Sequence, residues 1–292
     1  FERFIAAGEL TAVNGDDAAL RNIVLQIDPQ LNKSLLWFLE EMQWQQLPDT
    51  LRNHPRVFRA EVLDTSSGTG LPQARICEAP DRIIGVPLPG RHYLSNALGV
   101  YALLDTLRGS VLPKDVTSES LAAALASFPG VERRMQKIGM LPDALFYDDY
   151  GHHPTEIRAV LHAFRQLTDA VAGRLVAVFQ PHRYTRTQKL AGQFAEALQL
   201  ADVVLVMPLY PAGEDPISGV DENSVVRALE DCMHNRKGPC KAVTRLADFS
   251  AIKEHLQKGD QVICLGAGDI SAHLHDYVRE NGRLFETSMP ME

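Results

Sequence analysis

Short apolar runs alternate with segments of helical periodicity through the second half of the chain. The runs that predict strands are 144–148, 175–180, 202–207, 241–244 and 261–265. Each precedes a segment in which apolar residues recur every three or four positions, which predicts a helix with one buried face. The helix predicted after 241–244 carries Phe249, Ile252 and Leu256. Five strand-helix units of this kind predict an α/β fold with a parallel sheet and helices on both faces.

The first half of the chain has a less regular pattern. Its apolar runs predict strands at 10–14, 57–63 and 75–77. Helical periodicity is found at 17–24, 31–47, 94–104 and 118–126. The breaker residues Phe128, Pro129 and Gly130 predict a domain boundary, so that 1–127 and 128–292 form separate domains.

Composition and charge exclude several classes of function. The 292 residues include 29 Lys and Arg against 37 Asp and Glu, a formal net charge of −8. Such a chain lacks the basic surface that nucleic-acid binding usually needs, and no run reaches the roughly 18 apolar residues that span a membrane. The four cysteines show no C-x-x-C spacing, which argues against a zinc site and for reduced thiols in a cytoplasmic setting.

Two predicted strand ends carry the densest clusters of polar residues. Residues 148–153 follow the first strand of the array, and residues 180–186 follow the second. Ligands of open parallel sheets bind outside the carboxyl ends of the strands, so we expect both loops to share one site. His182, Arg183 and Arg186 suit an anionic ligand such as a carboxylate or a phosphate. The alternative is that these side chains only cap helices and face solvent.

A third loop, Gly266 to Ser271, follows the strand at 261–265 and partly resembles a dinucleotide-binding fingerprint. Ser271 stands where the third glycine belongs, and the chain beyond is too short for the next strand and its ribose-binding acid. A tight turn at a helix N-terminus is therefore the favoured interpretation, and an NAD-dependent enzyme the unfavoured one. The sequence contains no phosphate loop of the form G-x-x-x-x-G-K-[ST].

Several of these strings together resemble the motifs of the Mur ligase family, the ATP-dependent amide-forming enzymes of peptidoglycan synthesis. The matching strings, in the family's order and spacing, are 90–92, 96–98, 147–156, 179–187, 210–217 and 266–270. Tyr150, Gly151 and the string 182–186 resemble the branch that joins L-alanine to UDP-N-acetylmuramate. The murein tripeptide ligase branch of the same family is the alternative.

The resemblance implies a domain assignment. Residues 1–127 are similar to the C-terminal part of the family's central α/β ATP-binding domain, and residues 128–292 to its Rossmann-like C-terminal domain, which binds the amino acid. The family's UDP-sugar domain, phosphate loop and metal-binding carboxylates have no counterpart in the sequence. We therefore expect a fragment of a cytoplasmic ligase that is inactive by itself. A non-catalytic binding or scaffold protein descended from the family is the alternative.

The resemblance also implies residue roles. The residues implied to bind L-alanine are Tyr150, His152, His182, Arg183 and Arg186, the last three as a clamp on its carboxylate. Those implied to contact ATP are His92, Asn96, Arg134 and Asp149. Arg134 and His152 are the candidate catalytic residues. The implied cofactors are ATP and Mg²⁺, with the metal ligands outside this sequence, and UDP-N-acetylmuramate and L-alanine are the implied substrates.

The sequence departs from the family's pattern at three places. Tyr93 stands where asparagine is typical, and Met135 stands where an aromatic residue is typical. The segment from Asn32 to Asn53 resembles an insertion in the central domain, with two tryptophans that we expect to be core or interface residues.

Overall fold

The strands and helices divide between two units, residues 1–128 and 129–292. The structure is a computed structural model, and it describes residues 2–63, 71–234 and 238–285. Each hydrophobic cluster among these residues lies within one unit, so that each unit has a core of its own. None of the described helices is long and apolar enough to cross a membrane.

The first unit is built on a five-stranded sheet with the order β1-β2-β3-β4-β5. The strands are β1 (Thr11–Asn14), β2 (Ser34–Phe38), β3 (Val57–Val62), β4 (Gln73–Ile76) and β5 (Ile83–Gly85). The helices are α1 (Glu2–Ala7), α2 (Ala18–Ile27), α3 (Glu41–Gln45), α4 (Asp49–Arg52), α5 (Arg91–Leu107) and α6 (Ser118–Ala126). The first three strands are parallel, and β4 and β5 are antiparallel to their neighbours.

The helix expected over 31–47 is wrong, because β2 forms there and only the short α3 follows it. Leu35 and Leu36 are both fully buried, and they belong to different clusters on opposite faces of the sheet. A continuous apolar run fits a strand buried on both faces as well as a buried helix, so its periodicity could not decide between them. The segment 32–53 that was expected to be an insertion contains β2, which pairs with both β1 and β3 and is integral to the sheet.

The second unit is built on a seven-stranded sheet with the order β10-β9-β8-β11-β7-β6-β12. The strands are β6 (Gln136–Met140), β7 (Ala144–Asp149), β8 (Leu175–Phe179), β9 (Val203–Val206), β10 (Ala242–Arg245), β11 (Asp260–Leu265) and β12 (Arg283–Leu284). The α-helices are α7 (Pro154–Ala170), α8 (Tyr184–Leu198), α9 (Asn223–His234) and α10 (Ile270–Asn281), and a 3₁₀ helix spans Phe249–His255. The α/β prediction is confirmed, although the segment at 249–256 is 3₁₀ rather than α-helical and two antiparallel strands extend one edge.

Alternate residues of the strands pack on opposite faces of this sheet, as the twofold period of a strand requires. Phe146 contacts Tyr277 of α10 on one face, with ring centroids 6.1 Å apart. Its neighbour Tyr147 contacts Phe164 of α7 at 4.6 Å, and Phe179 contacts Phe194 of α8 at 5.0 Å. Helices therefore cover both faces, and the loops at the strand ends are the surface left for a ligand.

Candidate functional site

Three loops of the second unit leave the sheet side by side, because β11 lies between β7 and β8. Leu265 at the end of β11 pairs in register with Asp149 of β7 and with Phe179 of β8. The segments that follow are 150–153, 180–183 and 266–269, so all three start at the same level of the same sheet edge. The two polar loops and the glycine-containing loop singled out in the sequence therefore adjoin.

Asp149 organises the first of these loops from within. Its carboxylate is fully buried and accepts backbone N–H bonds from Met135 at 2.9 Å and Gly151 at 2.7 Å. Burial raises the pKa of Asp149 to about 6, although these bonds and the nearby Arg134 favour the charged form. The ribose contact implied for Asp149 stays a prediction.

Tyr150 is the exposed aromatic residue of the site, with 37% of its surface accessible. The guanidinium carbons of Arg133 and Arg134 lie 4.8 and 5.7 Å from its ring centroid. Arg133 is anchored by further contacts, whereas Arg134 forms no ion pair with any residue the structure describes. Arg134 is therefore the arginine of the pair whose charge is available to an anion.

The hydrogen bonds of His152 define its tautomer. Its Nδ1 lies 3.0 Å from the carbonyl oxygen of Tyr150, and a carbonyl can only accept, so Nδ1 carries the proton. In the neutral ring Nε2 is then the unprotonated nitrogen. The Glu156 carboxylate accepts hydrogen bonds from the backbone N–H groups of His152 and His153 and so caps the start of α7.

His182 is held between an aromatic ring and a cation. Its ring stacks on Tyr210 at 5.5 Å with 14° between the planes, and the His152 ring lies 5.8 Å away. Nη1 of Arg186 lies 3.3 Å from His182 Nδ1, and because a guanidinium can only donate, Nδ1 is the acceptor. Burial, then the charges of Arg186, His152 and Arg183, hold the pKa of His182 below its usual value. His182 is thus a neutral ring whose Nε2–H can donate.

Arg183 has a backbone φ of +75°, a left-handed conformation that few residues with side chains adopt. Two backbone bonds of 2.8 Å hold it there, from Arg183 N to Tyr210 O and from Tyr210 N to Pro181 O. Its half-exposed guanidinium lies 3.9 Å from Glu214, whose carboxylate also accepts from Thr185 N and Oγ1 at the start of α8. Such strain held by surrounding contacts is common at ligand sites.

The third loop is fastened to the second by Gln180. Its side-chain amide donates to Asp269 Oδ1 at 2.6 Å and its carbonyl oxygen accepts from Ile270 N at 3.2 Å. Gly268 allows this approach, since a Cβ there would lie 2.4 Å from Gln180 Oε1 and 2.7 Å from Tyr210 Cγ. Gln180, Tyr210 and Glu214 had no role assigned from the sequence, although they lie within the matching strings 179–187 and 210–217.

The remaining predicted site residues, His92 and Asn96, lie on α5 of the first unit. Asn96 is exposed, and His92 packs against Tyr93 with ring centroids 4.1 Å apart. A cavity of about 500 Å³ adjoins the start of this helix and is lined in part by Arg91, Glu40 and Arg59. The contact of His92 and Asn96 with ATP stays a prediction.

The described residues contain no cluster of three or more His, Cys, Asp or Glu side chains placed to hold a metal. The described residues therefore show no cluster of this kind for the Mg²⁺ that the resemblance implies.

Comparison with known proteins identifies the second unit. Residues 133–268 match the family "Mur ligase, glutamate ligase domain". The chain is similar to UDP-N-acetylmuramate–L-alanine ligase of Bradyrhizobium diazoefficiens, with 42% identity over 66% of this chain and 38% of the relative. The ligase of the same name from Brucella ovis is 40% identical over 64% of this chain and 38% of the relative. The chain thus spans about two fifths of the length of these relatives.

Solved structures show the same fold. UDP-N-acetylmuramate-alanine ligase from Thermotoga maritima superposes with a TM-score of 0.58 and 23% identity, over 89% of this chain and 54% of that one. A pseudomurein peptide ligase from Methanothermus fervidus gives a TM-score of 0.65 at 13% identity, over 96% of this chain and 58% of that one. By its sequence motifs, its matched family model and its fold, the second unit carries a Mur ligase domain over residues 133–268.

Proposed function

We propose that this chain supplies the amino-acid pocket of a ligase that joins L-alanine to UDP-N-acetylmuramate at the expense of ATP. The observation that carries the proposal is that His152 lies beside His182, with Arg183 and Arg186 next to it, at one edge of the sheet. The identity to ligases of that name supports the choice of substrate.

The second loop forms the binding site for the amino-acid carboxylate. Arg183 and Arg186 supply positive charge, and His182 supplies a neutral N–H donor at Nε2. Charge-assisted hydrogen bonds from a planar guanidinium suit a planar carboxylate. Tyr150 and His152, edge to face at 5.2 Å, would form the wall nearest the side chain of the amino acid.

His152 is placed to act on the amino group. An amino acid enters as an ammonium ion, and it must lose a proton before its nitrogen can attack a carbonyl carbon. The Nε2 lone pair of His152 is the acceptor for that proton, because Nδ1–H is committed to Tyr150 O. The Nδ1–H bond keeps the ring in this tautomer, in the way that a hydrogen-bonded partner orients a catalytic histidine.

Arg134 acts on the phosphate side of the reaction. ATP supplies the phosphoryl group that converts the substrate carboxylate into an acyl phosphate, from which the amine later displaces phosphate. Arg134, with no competing ion pair among the described residues, is placed to neutralise charge that develops on the transferred phosphoryl group. His92 and Asn96 are proposed to contact the adenine end of the nucleotide.

Alanine substitution of the two arginines tests the carboxylate clamp. Arg183→Ala and Arg186→Ala should each weaken L-alanine binding by about 10- to 100-fold, since one charge-assisted hydrogen bond is worth roughly 1.5–3 kcal/mol. NMR titration of L-alanine into the chain measures this affinity. Arg227→Ala is the matched control, because Arg227 is exposed on α9 and belongs to none of the three loops. Unchanged affinity in both clamp variants would refute the proposal.

The same titration separates the two branches of the family. A competing tripeptide with an N-terminal L-alanine that displaces L-alanine, and binds more tightly than it, would favour the murein tripeptide ligase branch.

A further inference from the structure

Arg133 joins three segments of the second unit through a single side chain. Its Nη2 donates to the carbonyl oxygen of Gly266 at 2.6 Å, and its Nε lies 3.3 Å from Asp148 Oδ2. Its guanidinium carbon lies over the Tyr150 ring, 4.8 Å from the ring centroid. The segment before β6, the end of β7 and the loop after β11 are therefore held together at this residue.

The ion pair with Asp148 keeps the guanidinium in place. Asp148 is fully buried, and Oδ2 also accepts a hydrogen bond from Ser271 Oγ at 2.6 Å. Among the described residues Arg133 is its one salt-bridge partner. Removing one member of a buried pair is costly, since it leaves the other charge without compensation. Asp148 thus holds the Arg133 guanidinium, which also lies over the Tyr150 ring.

The backbone of Arg133 reinforces the same contact. Arg133 has a left-handed φ of +57°, and its carbonyl oxygen accepts from Tyr150 N at 2.7 Å. Its own N–H donates to the side chain of Gln136 at 2.9 Å. Tyr150 is therefore held at its backbone and at its ring by one residue, while the adjacent Arg134 keeps its charge free.

We propose that Arg133 is a positioning residue that fixes the Tyr150 ring at the rim of the amino-acid pocket. It acts through Tyr150, and it does not itself contact the amino acid. The inference rests on the proposed function, because it takes the pocket beside Tyr150 to be the L-alanine site. Of the two adjacent arginines, Arg133 then shapes the pocket and Arg134 contacts the nucleotide.

A double-mutant cycle tests the inference. Arg133→Lys keeps the charge opposite Asp148 but loses the flat fork, so L-alanine affinity should fall about 3- to 10-fold in NMR titrations. In a Tyr150→Ala chain the same change should have no further effect, since the ring it positions is gone. A role in overall folding would instead weaken binding in both backgrounds. Arg279→Lys, in an exposed ion pair on α10, is the matched control and should change nothing.

A second readout follows the ring itself. In a chain labelled with 3-fluorotyrosine, the Tyr150 resonance, assigned by its loss in Tyr150→Phe, should move in Arg133→Lys while the other tyrosine resonances stay in place. An unmoved Tyr150 resonance, or equal losses of affinity in both backgrounds, would overturn the inference. A wild-type chain that does not bind L-alanine at all would refute the proposed function instead, and the ¹⁹F shift would still decide whether Arg133 positions Tyr150.

Discussion

The histidines and arginines of the site differ in how far their polar groups are committed to the protein itself. Arg133 and Asp149 form hydrogen bonds with neighbouring segments of the chain. The Arg134 guanidinium and the Nε2 atoms of His152 and His182 remain available to a ligand. The sequence predicted that the loops carrying His152 and His182 share one edge of the sheet, since both follow buried strands, but it gave no such signal for Arg133. It could not separate committed from available groups, because that depends on side-chain contacts across the chain.

Asp149 should make the stability of the second unit depend on pH. Its pKa is about 6 in the folded chain against 3.8 for an unperturbed aspartate, so the stabilisation from its protonated form is complete below about pH 4 and is lost as pH rises through 6. The loss is on the order of 3 kcal/mol in the free energy of unfolding. Asp149→Asn removes this ionisation. Urea unfolding from pH 4 to 7 should therefore show wild type losing stability relative to the variant, and parallel curves would contradict the assignment.

The order of the strands accounts for the site at the level of the elements. Gln180 and Asp269 are 89 positions apart and still form a hydrogen bond, because β11 inserts between β7 and β8. Alternating strands and helices predicted the parallel sheet and its loops, but not the order of its strands. The short strand β6, with polar residues and a glycine, was missed for lack of an apolar run, and β2 was taken for a helix because its run is buried on both faces.

The close approach of the second and third loops gives a prediction for Gly268. Gly268→Ala should lower the free energy of unfolding by about 1–3 kcal/mol and weaken L-alanine binding, since the new Cβ displaces Gln180 and Tyr210. Gly192→Ala is the matched control: no atom lies within 4 Å of its Cβ, and in α8 it should add up to about 1 kcal/mol. Urea unfolding with parallel titrations measures both, and equal behaviour of the two variants would contradict the packing described here.

At the scale of the whole molecule, the two units carry separate cores and the proposed L-alanine pocket lies within one of them. All the residues implied to bind L-alanine fall between 150 and 186, inside the unit 129–292. That unit is of ordinary domain size and has its own hydrophobic cluster, so we expect it to fold alone. The chain spans about two fifths of the length of these relatives, and ligation itself stays a proposal.

Titration with L-alanine and with L-alaninamide, its uncharged carboxamide, tests the central claim most directly. We expect the full chain and residues 129–292 to bind L-alanine saturably with affinities that agree within about threefold. We expect L-alaninamide to bind at least about tenfold more weakly, because it lacks the carboxylate that Arg183 and Arg186 are proposed to hold. Absence of saturable L-alanine binding by the full chain, or equal affinity for the carboxamide, would contradict the account.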